Sequence, residues 1–420
     1  WGNFYGRIKE IQESETLVAS GHERGMAVLF SLLERTNSIQ GEIHDIEHDE
    51  IGELNHAIEQ ARLQLRALEL SGDTGVDERA TIEAKVEDLE ALYEIQNAAL
   101  IALYEQLEKL RITVVDVAGE EKTFQLGSLV KFWLPNGMGV NEKLTMYVQN
   151  FWEVLSEEPR EANTEGGIFP AIFGTVLMVV IMSIAVVPFG VLAAIYLKEY
   201  AKQGSVTRMI RIAVNNLAGV PSIVFGVFGL GFFVYAVGGT LDQLFFAEAL
   251  PNPTFGTGGM LWASLTLALM TVPVVIVATE EGLSAVPREY REGSLGLGAT
   301  KFEALWRVVL PCAMPGILTG LILAISRATG EVAPLMLTGV VKLAPSLPVD
   351  GFFPFLHLDR KFMHLGFHIY DVGFQSPNVE AAKPMVYVTT FILVLVVILL
   401  NMAAIMIRTR MRKRYAGSSV

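Results

Sequence analysis

Arg327 and Glu331, four residues apart inside an otherwise apolar stretch, are the side chains in this sequence best placed to do chemistry. On a continuous helix that spacing puts both on one face. Ionised groups in hydrocarbon are expensive, so they pair with one another or serve a pathway. Arginine's planar fork can hold an oxyanion through two parallel hydrogen bonds, and Glu331 can neutralise it when no anion is present. Passage would then depend on an anion drawing Arg327 away. The alternative is a buried pair that locks two helices together. Asn215 and Asn216, one turn into another apolar stretch, offer donors to the same pathway or interhelical hydrogen bonds. His44 and His48 are also four apart, near His56, Asp45 and Glu47. Two imidazoles on one face could begin a metal site. No closed four-ligand set accompanies them, and acidic neighbours suit a solvated face equally well, so no metal is expected; His364 and His368 read the same way. Glu280 and Glu281 stand at an apolar edge and form no acid–base dyad. Nothing else in the chain resembles catalysis, and the reading is of a non-enzyme.

The elements that carry these residues divide into two unlike parts. Residues 1–167 hold 32 acidic and 14 basic residues, whereas residues 168–420 hold 13 and 18. An acidic soluble module therefore precedes a membrane module, and the acidic excess excludes a nucleic-acid footprint. Mean hydropathy is +0.41 and half the chain (51%) is hydrophobic. Cys312 is the single cysteine, so no intrachain disulfide forms, and beside Pro311 it reads as a small hydrophobe rather than a reactive thiol.

A span needs about 20 predominantly apolar residues. Ile168–Leu197, Ile210–Val237, Met260–Ala278, Pro315–Leu337 and Met385–Ile407 qualify, giving a membrane domain over 168–407. Lys198, Lys202, Arg208 and Arg211 flank the first connection, Val237–Gly259 has no basic residue, and 408–420 is a basic tail. Positive loops stay cytoplasmic. The C-terminus is then cytoplasmic, and five spans put residues 1–167 outside. Export of that domain leads us to expect a further span preceding Trp1 in the intact protein.

Within the outer domain, Ile51, Leu54, Ile58, Ala61, Leu65 and Leu68 alternate by three and four. The pattern resumes after Ser71–Gly75 as Ile82, Val86, Leu89, Tyr93, Gln96, Leu100, Leu103, Leu107 and Leu110. One apolar seam per arm and a Gly-rich reversal predict an antiparallel coiled-coil hairpin over about 39–110, serving as a spacer or docking surface. A small β-hairpin is expected at its base, over about 112–126, from Thr113–Val117 and Lys122–Leu126. The fold class is thus an all-α membrane protein with an exported helical hairpin.

The loop 280–311 is polar and reads as a helix–turn–helix, with Gly298 at the turn and Pro311 ending the second helix. A short rigid element of this kind suits docking into a groove of a soluble partner. It resembles the EAA signature of ABC importer permeases, with Glu292, Gly298, Val308, Leu310 and Pro311 in register. Gly293 and Ser294 stand where the family has two alanines; both are small, although Gly293 weakens the helix by up to ~1 kcal/mol. The resemblance implies a type I permease helical bundle and a coupling role for Arg291, Glu292, Gly293, Ser294, Gly298, Ala299, Thr300, Leu310 and Pro311. The chain has no Gly-x4-Gly-Lys-Ser/Thr loop, so ATP-Mg belongs to a partner ATPase and no cofactor to this chain.

Three further stretches resemble the PstA-type phosphate permeases: 163–167 (Asn-Thr-Glu-Gly-Gly), 215–226 (Asn-Asn-Leu-Ala-Gly-Val-Pro-Ser-Ile-Val-Phe-Gly) and 327–335 (Arg-Ala-Thr-Gly-Glu-Val-Ala-Pro-Leu). Val332 stands where that family usually has Thr, which removes one hydroxyl. The resemblance implies phosphate import with a PstC-type second permease, a PstB-type ATPase dimer, a periplasmic phosphate-binding protein and an inner-membrane bilayer around the chain. Rival readings are a type I permease for another oxyanion or an amino acid, and a non-transport scaffold acting through its coiled coil.

Overall fold

In a computed structural model of the chain, residues 4–416 are described apart from 15, 72–75, 130, 135, 161–162 and 377–378. Two compact units divide at Lys143 and Leu144, earlier than the hydropathy change at 167, because the stretch leading into the first span packs with the membrane unit.

In the first unit, strands β1 (Arg7–Glu13), β2 (Thr16–Ser20), β3 (Leu110–Val115) and β4 (Glu121–Gln125) form an antiparallel sheet in the order β2-β1-β3-β4. The hairpin expected near residue 112 is its β3–β4 half, with Thr113 opposite Thr123. The β1–β2 half was not expected. A register shift between Ile8 and Glu10 turns both Ile8 and Ile11 inward, and a bulge of that kind destroys the alternation by which a strand is read. Helix α1 (His22–Asp45) lays Leu29 and Leu32 on this sheet. It continues through a π-helical segment, Ile46–Glu50, into α2 (Ile51–Ser71), and α3 (Val76–Glu108) returns. Arg62 pairs with Glu90 at 2.7 Å between α2 and α3, and Ile39 and Ile43 meet Leu107 near the base. The expected reversal at 72–75 lies outside the described residues, as does the side chain of His48.

The membrane unit opens with α4 (Val140–Ser156) and a two-stranded ladder of Pro159–Arg160 (β5) with Glu165–Gly166 (β6). The remaining helices are α5 (Phe169–Ile195), α6 (Ser205–Leu217), α7 (Ser222–Phe228), α8 (Gly239–Phe245), α9 (Met260–Ser284), α10 (Arg288–Gly296), α11 (Lys301–Ala304), α12 (Leu310–Thr329), α13 (Ala333–Thr338), α14 (Leu365–Tyr370) and α15 (Val379–Ala416). Among the described residues five helical stretches are long and apolar enough to cross a membrane: Phe169–Tyr200, Ser222–Phe245, Met260–Ser284, Lys301–Thr329 and Ala382–Lys413. The chain is a multi-pass helical membrane protein. α9 is the central one, with Met260, Leu267, Met270, Val275 and Leu283 fully buried, as a helix apolar on every side requires.

Three sequence expectations need correction. The second span is not one helix from Ile210 to Val237: α6 stops at Leu217, and Pro221 caps α7 with ψ 135°. Proline has no N–H to continue the ladder and pushes the residue before it out of the helical region. The fourth span breaks likewise, between Thr329 and Ala333, ahead of Pro334. Arg327 and Glu331 therefore do not share one helical face. Pro311, by contrast, ends nothing. A π-helical segment, Leu305–Val309, leads directly into α12, and the widened turn accommodates the missing donor.

Candidate functional site

The two broken spans meet at their breaks. A Cβ on Gly226 of α7 would lie 2.7 Å from Pro334 Cα, so only glycine lets α7 approach α13 this closely. Arg327, in the last turn of α12, donates from Nη1 and Nη2 to the Ala218 carbonyl at 3.3 Å each. That carbonyl belongs to the interruption between α6 and α7, where the helical ladder leaves acceptors unspent. Glu331 Oε1 stands 3.9 Å from Arg327 Nε, an ion pair too long for a good hydrogen bond. The sequence pairing of Arg327 with Glu331 is thus present but secondary; the backbone carbonyl is the nearer partner, and nothing in the sequence spacing pointed to it.

Asn215 and Asn216 occupy the last turn of α6, just before the break, and are exposed. Asn215 lines an open cavity of about 850 Å³ with Lys198, Gln203, Arg211, Glu280 and Glu281. The stretch 163–167 does not join this junction: Asn163, buried at φ +74°, donates from Nδ2 to the Lys342 carbonyl at 2.8 Å.

Relative height follows from helix geometry. Gly320 of α12 abuts Ala278 of α9; Arg327 lies seven residues deeper along α12 and Glu280 two residues outward along α9. At ~1.5 Å per residue the Arg327 junction sits ~13 Å inside the level of Glu280. At that outer level the polar residues are tightly wired. Arg211 donates to Glu280 Oε1 at 3.1 Å, to Gln203 Oε1 at 2.9 Å and to the Leu197 carbonyl at 3.2 Å. Arg291 of α10 reaches the Leu283 carbonyl at 2.6 Å and Glu199 Oε1 at 3.0 Å. Lys301 donates to the Glu199 carbonyl and stacks over the Tyr200 ring. The loop is thereby bolted to the ends of both α5 and α9. Sequence reading gave Arg291 a coupling role but read Arg211 only as a topology marker and passed over Glu199 and Lys301, whose contacts depend on which helix ends share a level.

Gly298 turns the loop at φ +89°, a conformation that costs other residues ~1–2 kcal/mol. Thr300 then starts α11 with a capping box: its Oγ1 accepts from Glu303 N–H at 3.2 Å, and Glu303 Oε2 accepts from Thr300 N–H at 2.9 Å. Glu292 and Gly293 face solvent, Ser294 and Ala299 are half-buried, and Ala299 N–H bonds the Ser294 carbonyl at 3.1 Å. Leu295, Leu297, Phe302 and Trp306 are exposed around the turn, Leu297 by 91%. Leu310 and Pro311 are half-buried where α12 begins.

On the far side of the junction, Gly366 packs against Val332. Its neighbours His364 and His368 are buried, and burial holds their pKa values down at about 3 and about 4. Both rings are therefore neutral, and among the described residues no three metal-binding side chains cluster.

A family model described as "Binding-protein-dependent transport system inner membrane component" matches residues 186–416. The chain is 35% identical over 252 residues to the phosphate transport system permease protein PstA 1 of Mycobacterium tuberculosis, covering 59% of this chain and 72% of that protein. It is 30% identical over 258 residues to a probable ABC transporter permease, YqgI, of Bacillus subtilis, covering 60% and 81%. Among solved structures, a chain of the inward-facing MetNI methionine ABC transporter is similar at 17% identity and a TM-score of 0.39, covering 65% of this chain and 99% of that one.

Proposed function

We propose, for a chain that belongs to the family of binding-protein-dependent transport system inner membrane components, that it carries inorganic phosphate through the membrane as one permease of an ATP-driven importer. The observation that carries the substrate reading is Arg327. Its guanidinium stands at the meeting of two broken helices, held by a neutral carbonyl and a carboxylate 3.9 Å away. A cation held this loosely can exchange its partner for the oxygens of a passing anion, which it matches as a fork. Asn215 and Asn216 sit at the edge of the same break as further donors.

The exposed apolar turn at Leu295, Leu297, Phe302 and Trp306 suits burial in a groove of the ATPase. Arg291, Glu292, Gly293, Ser294, Gly298, Ala299, Thr300, Leu310 and Pro311 frame that contact. ATP-Mg is bound and hydrolysed on this partner, a PstB-type dimer; a PstC-type permease completes the pathway, and a phosphate-binding protein delivers the anion. The loop and C-terminus face the cytoplasm, and residues 1–167 lie outside. The test is ATP-dependent uptake by the assembled transporter in proteoliposomes, supplied with binding proteins loaded with phosphate, sulfate or an amino acid. Uptake of phosphate alone is expected. Transport of another solute in preference to phosphate overturns the reading.

A further inference from the structure

The last turn of α4 packs on the spans. Val154 and Leu155 join a cluster with Ile168 and Ile172 at the start of α5 and with Met385 and Ile392 of α15. The backbone ties the two helices there: Ile168 N–H donates to the Val154 carbonyl at 2.8 Å, and Phe169 N–H to the Glu157 carbonyl at 3.2 Å. Leu144, Val148, Phe151 and Leu155 follow one another at spacings of four, three and four, which is one stripe of an α-helix. Leu155 is half-buried on the spans. The three before it are exposed by 64%, 63% and 46%, and Tyr147 and Trp152 beside them by 68% and 66%. Gln149 and Glu153 lie on the other side of the helix, with the half-buried Met146 and Asn150.

An apolar stripe this long, open to water, is a marked departure from ordinary surface. Where it leads settles what covers it. The stripe ends where the Val154 carbonyl accepts from Ile168 N–H, one residue before the Phe169–Tyr200 span, so its buried end is level with the boundary between hydrocarbon and water. From that level it continues past the edge of the bundle, where the neighbouring medium is lipid. Its composition matches the place. Tyr and Trp are the side chains that settle among headgroups, with the polar O–H or N–H toward water and the ring toward the acyl chains, and Phe adds apolar surface beside them.

We propose that α4 from Leu144 to Leu155 lies in the bilayer interface, with Leu144, Tyr147, Val148, Phe151 and Trp152 sunk ~5–10 Å into the headgroup–acyl boundary. Between Leu144 and Leu155 the only formal charge is Glu153. Attachment is therefore apolar and aromatic, and it does not require anionic lipid. The occupant is the lipid surface rather than a second protein chain, because the same stripe already closes onto the lipid-level ends of two spans.

The test uses the complete transporter, with its partner subunits, in phosphatidylcholine vesicles. Spin labels are placed singly at Leu144, Val148, Gln149 and Phe151 on a Cys312→Ser background. At Leu144, Val148 and Phe151, collisions with oxygen are expected to exceed those with a water-soluble nickel chelate several-fold. The order should invert at Gln149, and adding anionic lipid should change neither pattern. Equal nickel access at Val148 and Gln149 means a stripe in water; shielding of Val148 and Phe151 from both reagents means a covering protein. Either result overturns the proposal. Should the background substitution disturb assembly, the native protein and its Trp152→Phe variant answer the same question. Brominated phosphatidylcholine must quench a component of the emission that disappears with Trp152, and absence of that component again sinks the idea.

Discussion

The two arginines of the broken second and fourth spans are held in opposite ways. Arg211 makes three hydrogen bonds of 2.9–3.2 Å, to a carboxylate, an amide and a carbonyl, all at one level. Arg327, ~13 Å further in by helix rise, has one carbonyl at 3.3 Å and a carboxylate at 3.9 Å. Both lie on helices that stop at a proline. The difference is what surrounds them: α6 meets the polar ends of α5 and α9, whereas the last turn of α12, which carries Arg327, meets the interruption between α6 and α7. A fully satisfied cation ties elements together and resists change. A partly satisfied one, deep among apolar residues, keeps the capacity to bind something else. On the function proposed above, the first would serve transmission and the second the substrate.

Removing the second cation tests this difference most severely. Replacing Arg327 by Gln takes away a charge whose burial costs at least ~2.5 kcal/mol; if that cost is recovered on an anion, uptake should fall roughly 70-fold, with complex yield unchanged. The Arg327→Gln, Glu331→Gln double variant should assemble and still fail to transport, and Arg327→Lys should recover only part of the rate. Normal phosphate uptake by the double variant would make Arg327 a structural residue, and the comparison would collapse.

Acid tests the wall behind the junction. His364 and His368, beside the Gly366 that packs on Val332, have folded-state pKa values of about 3 and about 4 through burial, against about 6.5 in an unfolded chain. The unfolded chain therefore takes up protons below pH 6.5 that the folded one refuses. Stability present above that pH is lost progressively down to about pH 4 for His368 and about pH 3 for His364, amounting to ~2 kcal/mol per histidine at pH 5. Thermal unfolding of the complex at pH 7 and pH 5 should show this fall, and a His364→Gln, His368→Gln variant should show less of it.

The tight end is tested by geometry and by charge. Gly298→Val must hold φ +89° at a cost of ~1–2 kcal/mol, or distort the turn. Phosphate uptake per ATP hydrolysed should fall by roughly tenfold, while membrane insertion stays intact; an unchanged ratio would remove the loop from coupling. Arg211→Glu or Glu280→Arg alone should slow uptake about fivefold, the effect of ~1 kcal/mol for a part-exposed pair. The charge-reversed double variant should restore most of it. No recovery would mean that Arg211 acts through Gln203 and the Leu197 carbonyl instead.

Much of the molecule was legible in one dimension. Apolar runs of span length located all five membrane stretches, because in hydrocarbon the backbone must satisfy itself and side chains must be apolar. Gly298 declared its turn, since few other residues accept its φ, and the loop's spacing was enough to mark it. What the sequence could not yield were quantities set by neighbours. Continuous hydropathy hid the interruptions before Pro221 and Pro334, and proline alone was no guide, because Pro311 is absorbed by a π-helical turn. The β1 strand was hidden by a bulge that defeats alternation. The pairing of Arg327 with the Ala218 carbonyl, and of Arg291 with Glu199, joins residues about a hundred positions apart. Side-chain type says that a buried arginine needs a partner. Only the crossing of helices at a common depth decides which partner it finds, and how firmly it is held.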